Sequence, residues 1–271
     1  MHTADVSVVI PFFNSSSTLA RALDSVAAQT LPVREVVVVD DCSTEAEARA
    51  AAGIVARMSN ARLVSMPRNG GPGEARNAGW QAAEGHWVAF LDSDDAWHPR
   101  KVEAQLRAAD ELRDDKPVLI ASQCGLGYQA WAAAGVSLAD RTPATRLTKR
   151  GFLLRNQVPT SSVMVARDLP HRFPAARRYS EDWELWLSIA ALGRPLLRLE
   201  FPYCIQFKAV YGESGLSGAV WKMIRGEYRA LWAERRAGRL SLAELGLGLA
   251  SLTVRVGVRL ARLGLRRARV S

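Results

Sequence analysis

The stretch that decides the fold is Trp87-Val88-Ala89-Phe90-Leu91-Asp92-Ser93-Asp94-Asp95. Its first five residues are apolar without interruption, which is typical of a strand that is buried on both faces of a sheet. Three carboxylates follow directly, so the strand ends in an acidic turn. This arrangement predicts an α/β sheet with a polar site at the carboxyl end of the strand.

Three strand-like segments precede this stretch, at residues 6–10, 36–39 and 62–65, and segments with helical spacing separate them. This alternation predicts parallel strands with helices packed on both faces. The second half is less regular. There we expect a strand over 161–165, a helix from Glu181 and short strands over 196–199 and 203–207, while a helix from Pro99 ends the first half. Residues 128–155 show no readable pattern.

Acidic residues follow two of the predicted strands, at Asp40-Asp41 and at 92–95. Because parallel strands end at the same edge of a sheet, both groups are expected on one rim. Asp92 and Asp94, two positions apart in a turn, can approach one hard cation together with phosphate oxygens. The alternative for such a pair is a polar turn that only caps the next helix.

Five motifs in order resemble glycosyltransferase family 2 over about residues 5–210. The resemblance implies the GT-A fold, which is a Rossmann-like nucleotide-binding mixed sheet flanked by helices, and an inverting transfer from a nucleoside-diphosphate sugar. The motifs are Val8-Val9-Ile10-Pro11-Phe12-Phe13-Asn14, Val38-Val39-Asp40-Asp41-Cys42-Ser43, Asn69-Gly70-Gly71-Pro72-Gly73-Glu74-Ala75-Arg76-Asn77-Ala78-Gly79, Phe90-Leu91-Asp92-Ser93-Asp94-Asp95 and Glu181-Asp182.

The resemblance also implies roles for single residues. Asp94, with Asp92, is expected to bind Mn²⁺ or Mg²⁺, and Asp182 is expected to be the catalytic base beside Glu181. Either Asp40 or Asp41 is expected to contact the base of the donor, for which uracil is favoured and guanine or thymine remains open. The full predicted nucleotide-binding set is Pro11, Phe12, Asn14, Asp40, Asp41, Arg76, Asn77, Asp92 and Ser93.

This chemistry is physically consistent. Displacement at an anomeric carbon needs a carboxylate to deprotonate the attacking hydroxyl, and a divalent cation can stabilise the diphosphate that leaves. A glycosidase would need a second, protonated carboxyl group on the leaving side. The QxxRW signature and the spanning helices of processive polysaccharide synthases are absent from the sequence, so transfer of one sugar is expected.

Several side chains are candidates for the sugar and acceptor, namely Trp97, Trp183 and Lys208. For the two tryptophans the alternative is core packing, and for Lys208 it is a solvated surface position. Lys208 and the loop 211–215 could close over the diphosphate. Gly71 and Gly73 lack the full spacing of a dinucleotide fingerprint, which argues against a nicotinamide cofactor.

Charge is concentrated at one end of the chain. Residues 235–271 hold nine arginines against the single acid Glu244, so they carry +8 of the net charge of +9. Nucleic-acid binding by the nearly neutral body is therefore not expected. Five of these arginines recur at helical spacing, at Arg255, Arg259, Arg262, Arg266 and Arg269.

Such a basic amphipathic helix predicts that residues 249–269 bind an anionic membrane surface. The alternatives are a helix packed on the protein itself, or a strand.

The domain prediction is a GT-A domain over 1–234, with a nucleotide-sugar half over about 1–125 and an acceptor half over about 126–234, followed by a basic tail over 235–271. No signal peptide is recognised at the start, and three widely spaced cysteines suggest a reducing compartment. We therefore expect a cytoplasmic enzyme, peripheral on the inner face of the plasma membrane, with a lipid-linked or cell-envelope glycan acceptor. The alternatives are a non-catalytic nucleotide-sugar or glycan-binding module of the same fold and a sugar nucleotidyltransferase.

Overall fold

The four strand segments predicted in the first half form adjacent parallel strands, as expected. The computed structural model describes residues 3–112, 115–126, 142–207 and 220–268. Lys208, the loop 211–215 and residues 128–141 of the unreadable segment lie outside them. Within the described residues the strands are β1 (Ala4–Phe12), β2 (Val33–Asp40), β3 (Ala61–Ser65), β4 (Trp87–Phe90), β5 (Asp95–Trp97), β6 (Leu119–Leu126), β7 (Ala144–Arg146), β8 (Met164–Ala166) and β9 (Leu196–Gln206).

These strands make one mixed sheet in the order β3-β2-β1-β4-β8-β6-β9-β5, with β7 also paired to β9. The pairs β2–β3, β1–β2, β1–β4 and β6–β9 are parallel. The pairs β4–β8, β6–β8, β5–β9 and β7–β9 are antiparallel. Because Phe12 pairs with Asp40 and Val9 with Phe90, the strand ends at β1, β2 and β4 meet on one edge.

Helices cover the sheet and extend beyond it. The described helices are α1 (Ser16–Ala27), α2 (Glu45–Val55), α3 (Pro72–Ala82), α4 (Lys101–Glu111), α5 (Lys149–Leu154), α6 (Glu181–Ala190), α7 (Val220–Arg236) and α8 (Leu242–Ala268). Helix α3 approaches β1 and β2 so closely at Gly79 that a Cβ there would collide with Val9 and press on Val39. The valines of β1 and β2 are fully buried, which explains their unbroken apolar runs.

Two predictions for the second half need correction. Residues 160–162 form a 3-10 turn, and the strand begins only at Met164. The reason is that Ser162 Oγ donates a hydrogen bond to the carbonyl oxygen of Pro159, a local bond that competes with an extended chain. The two short strands predicted over 196–207 are one strand, β9. The register shifts around Pro202, which cannot donate to the ladder: Ser122 pairs with Leu199 but Gln123 with Pro202, so the extra residues are in β9.

The C-terminal segment is helical, and the strand alternative is wrong for the described part. Helix α8 packs against α5 and α7. Arg255 and Arg259 lie 3.2 and 3.7 Å from the Glu227 carboxylate of α7, and their side chains are largely covered. The first two arginines of the predicted stripe therefore pack on the protein itself. No helix among the described residues is long and apolar enough to cross a membrane.

Candidate active site

The turn after β2 is built around its two buried aspartates. Asp41 accepts hydrogen bonds from the N–H of Gly70 at 2.6 Å and from the N–H of Gly71 at 2.8 Å. Gly71 has a φ of +87°, which favours glycine, and it directly precedes α3. Asp40 accepts a hydrogen bond from the N–H of Ser43 at 2.9 Å. Both aspartates therefore lie on the predicted rim and hold its loops in place.

Polar contacts join the turns after β1, β2 and β4. Asn14, with a φ of +48°, accepts a hydrogen bond from the N–H of Thr44 at 2.9 Å and donates its own N–H to Ser43 Oγ at 3.0 Å. Ser15 Oγ lies 2.9 Å from Ser93 Oγ, which connects the first turn to the acidic one. Asn14 and Ser93 are thus brought to the same rim as the acidic groups.

Phe12 requires a correction. Its ring is 1% exposed and belongs to the core, so the side chain cannot line a nucleotide pocket. Only its backbone contributes to the rim, where its carbonyl oxygen accepts the N–H of Asp41 at 2.8 Å. Pro11, the neighbouring residue, is half-buried. The strand alternation explains the difference, because successive side chains point to opposite faces.

The acidic turn after β4 brings three carboxylates together. Asp92, Asp94 and Asp95 each offer an oxygen, and these atoms lie within 4.8 Å of one another. Ser161 Oγ donates to Asp95 Oδ2 at 2.6 Å and accepts the N–H of Asp92 at 3.1 Å. Burial, and then the negative charges of Asp92 and Asp94, raise the pKa of Asp95 to about 8. This set of oxygen ligands with accumulated negative charge fits a hard divalent cation.

Arg76 connects the acidic turn to the start of α6. Its guanidinium donates to Asp92 Oδ1 at 2.6 Å and lies 3.3 Å from Glu181 Oε1. The side chain is 5% exposed. Burial lowers the Arg76 pKa, but the two carboxylates outweigh this effect and hold it above its usual range. Arg76 therefore positions two acidic groups, and any contact with a nucleotide would come in addition to these bonds.

The two acids at the start of α6 differ in their surroundings. Burial and the charge of Asp182 raise the pKa of Glu181 to about 7, against the opposing effect of Arg76. Asp182 is half-buried and accepts hydrogen bonds from Asn156 Nδ2 at 2.8 Å and from the N–H of Trp183 at 2.7 Å. Burial also raises the pKa of Asp182, while these hydrogen bonds and Arg76 lower it. Glu181 is thus committed to Arg76, whereas Asp182 is held by neutral donors.

Asn77 has a structural role that was not predicted. Its Nδ2 donates to the carbonyl oxygen of Phe173 at 2.8 Å, and its Oδ1 accepts the N–H of Phe173 at 2.9 Å. Both ends of the amide are therefore used to hold the segment that leads to α6. The prediction that Asn77 binds the nucleotide is not supported by this geometry.

Both tryptophans proposed for the sugar are core residues. Trp97 is fully buried, and its Nε1 donates to the carbonyl oxygen of Ser161 at 2.7 Å. Trp183 is 2% exposed, and its Nε1 donates to the carbonyl oxygen of Phe152 at 2.7 Å. Neither ring has a free face on which a sugar could stack, so the core-packing alternative is correct for both.

Three residues at the site were missed by the sequence reasoning. Asp95 is the third carboxylate of the acidic turn, and its position in the run Asp92–Asp95 was a signal that could have been used. Ser161 joins Asp92 to Asp95, and Asn156 bonds Asp182. Nothing local in the sequence distinguishes Ser161 or Asn156 from other polar residues, because their partners are distant in the chain.

Comparisons with known proteins identify the family of this chain. The sequence model of the family described as Glycosyl transferase family 2 matches residues 7–160 of this chain. The succinoglycan biosynthesis protein ExoO of Rhizobium meliloti is 45% identical over 198 residues, which are 70% of this chain and 56% of that protein. The amylovoran biosynthesis glycosyltransferase AmsB of Erwinia amylovora is 34% identical over 209 residues, which are 74% of this chain and 69% of that protein. The chain thus spans little more than half the length of ExoO.

Solved structures share the fold. S. aureus TarS 1-349 in complex with UDP-GlcNAc has a TM-score of 0.65 at 24% identity, over 86% of this chain and 66% of that one. The mannosyltransferase PcManGT from Pyrobaculum calidifontis, in complex with GDP-Man and Mn²⁺, has a TM-score of 0.63 at 19% identity, over 100% and 81% of the two chains. These likenesses confirm the predicted fold class.

Proposed function

The chain belongs to glycosyl transferase family 2, and from this premise we propose that it is an inverting, metal-assisted enzyme that transfers one sugar from a nucleoside-diphosphate sugar. The observation that carries the proposal is the Arg76 bridge. One guanidinium contacts Asp92 in the acidic turn and Glu181 beside Asp182. The candidate base and the candidate donor site are therefore neighbours, as a direct displacement requires.

Asp182 is the proposed base, and Glu181 is a positioning residue. The Glu181 carboxylate is buried in its ion pair with Arg76. Asp182 Oδ2 is bonded by the Asn156 amide at 2.8 Å, which orients the carboxylate without neutralising it. Its raised pKa makes it a better proton acceptor than an ordinary aspartate. In the proposed step, Asp182 takes the proton of the acceptor hydroxyl as that oxygen attacks the anomeric carbon and the nucleoside diphosphate leaves.

Asp92 and Asp94 are the proposed metal ligands, and Mn²⁺ or Mg²⁺ is the proposed ion. When bound, such an ion stabilises the negative charge on a leaving diphosphate. Asp95 is buried, and its hydrogen bond from Ser161 holds the turn in place. Arg21 supports the same turn by donating to the carbonyl oxygen of Asp94 at 2.6 Å.

The donor is proposed to lie on the rim of β1 and β2, with UDP-sugars as the favoured class. Both carboxylate oxygens of Asp41 already accept N–H groups, from Gly70 and Gly71. Asp40 is therefore the better candidate to hydrogen-bond the base of the nucleotide. TarS and PcManGT bind UDP-GlcNAc and GDP-Man on the same fold. This supports a nucleotide-sugar donor and leaves the base and the sugar to experiment.

The acceptor is proposed to be a lipid-linked or cell-envelope glycan, met at the inner face of the plasma membrane. The relatives support this class, since ExoO is a succinoglycan biosynthesis protein and AmsB an amylovoran biosynthesis glycosyltransferase. A third relative supports the same class of acceptor. It is the putative teichuronic acid biosynthesis glycosyltransferase TuaG of Bacillus subtilis, which is 29% identical over 193 residues.

The test is release of nucleoside diphosphate from UDP-, GDP- and dTDP-sugars, with and without Mn²⁺. We expect one donor to be hydrolysed slowly with metal, and the rate to increase when a lipid-linked acceptor is added. Asp94→Ala should reduce the rate at least about a hundredfold through loss of charge stabilisation. Asp182→Asn should reduce it about a thousandfold through loss of the base. Asp168→Asn, at an exposed aspartate, is the matched control and should leave the rate unchanged.

Two results would overturn this proposal. Release of pyrophosphate in place of nucleoside diphosphate would make the protein a nucleotidyltransferase. Failure to bind any nucleotide in the presence of metal, measured by calorimetry, would remove the donor site itself.

A further inference from the structure

Helix α7 exposes an unusual set of side chains. At 100° per residue, the exposed positions between Trp221 and Arg236 fall within an arc of about 100°. This exposed arc consists of Trp221, Lys222, Arg225, Arg229, Trp232 and Arg236. Two large aromatic rings, 68% and 47% exposed, stand among four cations. An exposed tryptophan is costly in water, so two of them on one arc indicate a contact surface.

The acidic residues of α7 all point the other way. Glu227 is buried and lies 3.2 Å from an Arg255 nitrogen, and Glu234 is buried and lies 2.6 Å from an Arg239 nitrogen. These carboxylates are compensated inside the protein by arginines of α8 and of the connection that precedes it. The exposed arc therefore presents four positive charges with no acid among them.

The neighbouring helix adds aliphatic surface. The exposed positions of α8 up to residue 258 are apolar, small or hydroxyl-bearing, and the large ones are Leu242, Val254 and Val258. Arg255 and Arg259 are turned towards Glu227. Within the described residues the two helices therefore expose different side chains. Helix α7 exposes cations and aromatic rings, and α8 exposes aliphatic groups.

We propose that the exposed arc of α7 is the surface through which the protein binds an anionic lipid bilayer. Arginine and lysine heads pair with lipid phosphates, and tryptophan is the residue that prefers the depth of the headgroups. A helix with this composition lies in the plane of the interface. The positive charge of the exposed arc is complementary to an anionic bilayer. The aliphatic side chains of α8 favour a bilayer over a nucleic acid, because grooves and phosphates give valine and leucine few apolar contacts.

This inference changes where membrane contact is expected. The sequence pattern assigned it to the arginines of residues 249–269, yet the structure places Arg255 and Arg259 in internal ion pairs. The proposal supplies the membrane partner of the proposed function but requires no catalytic step. Vesicle binding can therefore fail while sugar transfer succeeds, and the reverse.

The test is co-sedimentation of the full chain with phosphatidylcholine vesicles, with and without phosphatidylglycerol, at physiological salt. Arg225→Gln/Arg229→Gln should weaken binding to anionic vesicles about thirtyfold, because each basic residue near such a surface contributes about fivefold. Arg57→Gln/Arg194→Gln removes the same charge from exposed positions elsewhere and should leave binding within about twofold of the parent.

A second measurement follows the tryptophans directly. Brominated lipids should quench the fluorescence of the parent, and Trp221→Phe/Trp232→Phe should lose most of that quenching, although six tryptophans remain of the eight in the chain. Nucleoside diphosphate release without vesicles should be unchanged in every variant, which shows that each one folds.

Three outcomes would overturn the inference. Equal loss of binding in the two arginine pairs would show that only net charge matters. Full binding by the α7 variants, or full quenching without the two tryptophans, would place the contact elsewhere. Preference of the parent for an oligonucleotide over anionic vesicles would assign the arc to a nucleic acid.

Discussion

Two strands of the sheet, β2 and β4, end in acidic turns, and the negative charge of the two turns is compensated differently. After β2, Asp41 is 3% exposed, and each of its carboxylate oxygens accepts a backbone N–H from the Gly70–Gly71 turn. After β4, three carboxylates face one another, and burial together with like charge raises the pKa of Asp95 to about 8. The first turn is satisfied by the protein alone, whereas the second accumulates charge.

The difference shows what similar acidic pairs are for. A carboxylate that accepts two N–H donors stabilises a loop and costs little to bury. Clustered carboxylates destabilise the protein unless a cation or a proton compensates them, so such a cluster on a rim is suited to hold a cation. Arg76 compensates part of the charge at Asp92 and links it to Glu181. Asp41 in the turn after β2 is thus architectural, whereas the turn after β4 is suited to chemistry.

The largest expected effect on stability separates these two turns. Asp41→Ala would leave the N–H groups of Gly70 and Gly71 buried without acceptors, so we expect the free energy of unfolding to fall by about 3 kcal/mol. Asp94→Ala removes one of several like charges and should change it by less than about 1 kcal/mol, or raise it. Urea unfolding of both variants without metal measures this.

The comparison has an internal control. Asp41→Asn keeps one carboxamide oxygen as an acceptor and should recover part of the loss caused by Asp41→Ala. If Asp94→Ala is instead the more destabilising change, the turn after β4 is held by its carboxylates in the same way as the turn after β2, and the distinction between them is lost.

Metal should stabilise one turn and not the other. At a Mn²⁺ concentration a hundred times the dissociation constant, binding to the native state alone raises the free energy of unfolding by about 2.7 kcal/mol. We expect this gain in the parent and in Asp41→Asn, and its loss in Asp94→Ala. Thermal unfolding with Mn²⁺ and then with excess chelator measures it. A gain that survives Asp94→Ala would place the ion outside the acidic turn.

Much of this architecture could be predicted from local patterns. The valine-rich runs at β1 and β2 and the run that ends at Asp92 identify the parallel strands, because full burial on both faces removes polar alternation. The convergence of Asp40 with Asp92 on one rim follows from strand direction alone. Loop chemistry also explains where α3 begins, because Gly71, with a φ of +87°, directly precedes Pro72.

The contacts between distant residues could not be predicted. Trp97 lies beside the acidic turn in sequence, yet its indole points into the core to Ser161. Asn77 follows Arg76 directly, but a helix turns neighbouring sidechains by about 100°, and its amide reaches Phe173. Arg255 has the spacing of an exposed stripe, but its ion pair with Glu227 depends on the docking of α8 against α7. Each outcome is set by tertiary packing, which periodicity does not encode.

The smallest expected effect sharpens the assignment of Glu181 and Asp182. The pKa of Glu181 lies near 7 because of burial and the neighbouring Asp182 charge, so the two groups titrate as a pair. Glu181→Gln removes a negative neighbour, which favours ionised Asp182 and lowers its pKa. The acid limb of kcat/KM for sugar transfer should therefore move to lower pH, with the plateau reduced less than tenfold through the loss of a partner for Arg76.

Helix α6 provides a matched control for this experiment. Glu184 also has a pKa raised to about 7 by burial, but its ionic partner is Arg177. Glu184→Gln removes a carboxylate with a similar pKa from the same helix and should leave the acid limb where it is in the parent. If both variants shift the limb equally, the pH dependence reports the general charge of α6. A shift in Glu181→Gln alone ties the acid limb to the pair beside Arg76, which is what a base at Asp182 requires.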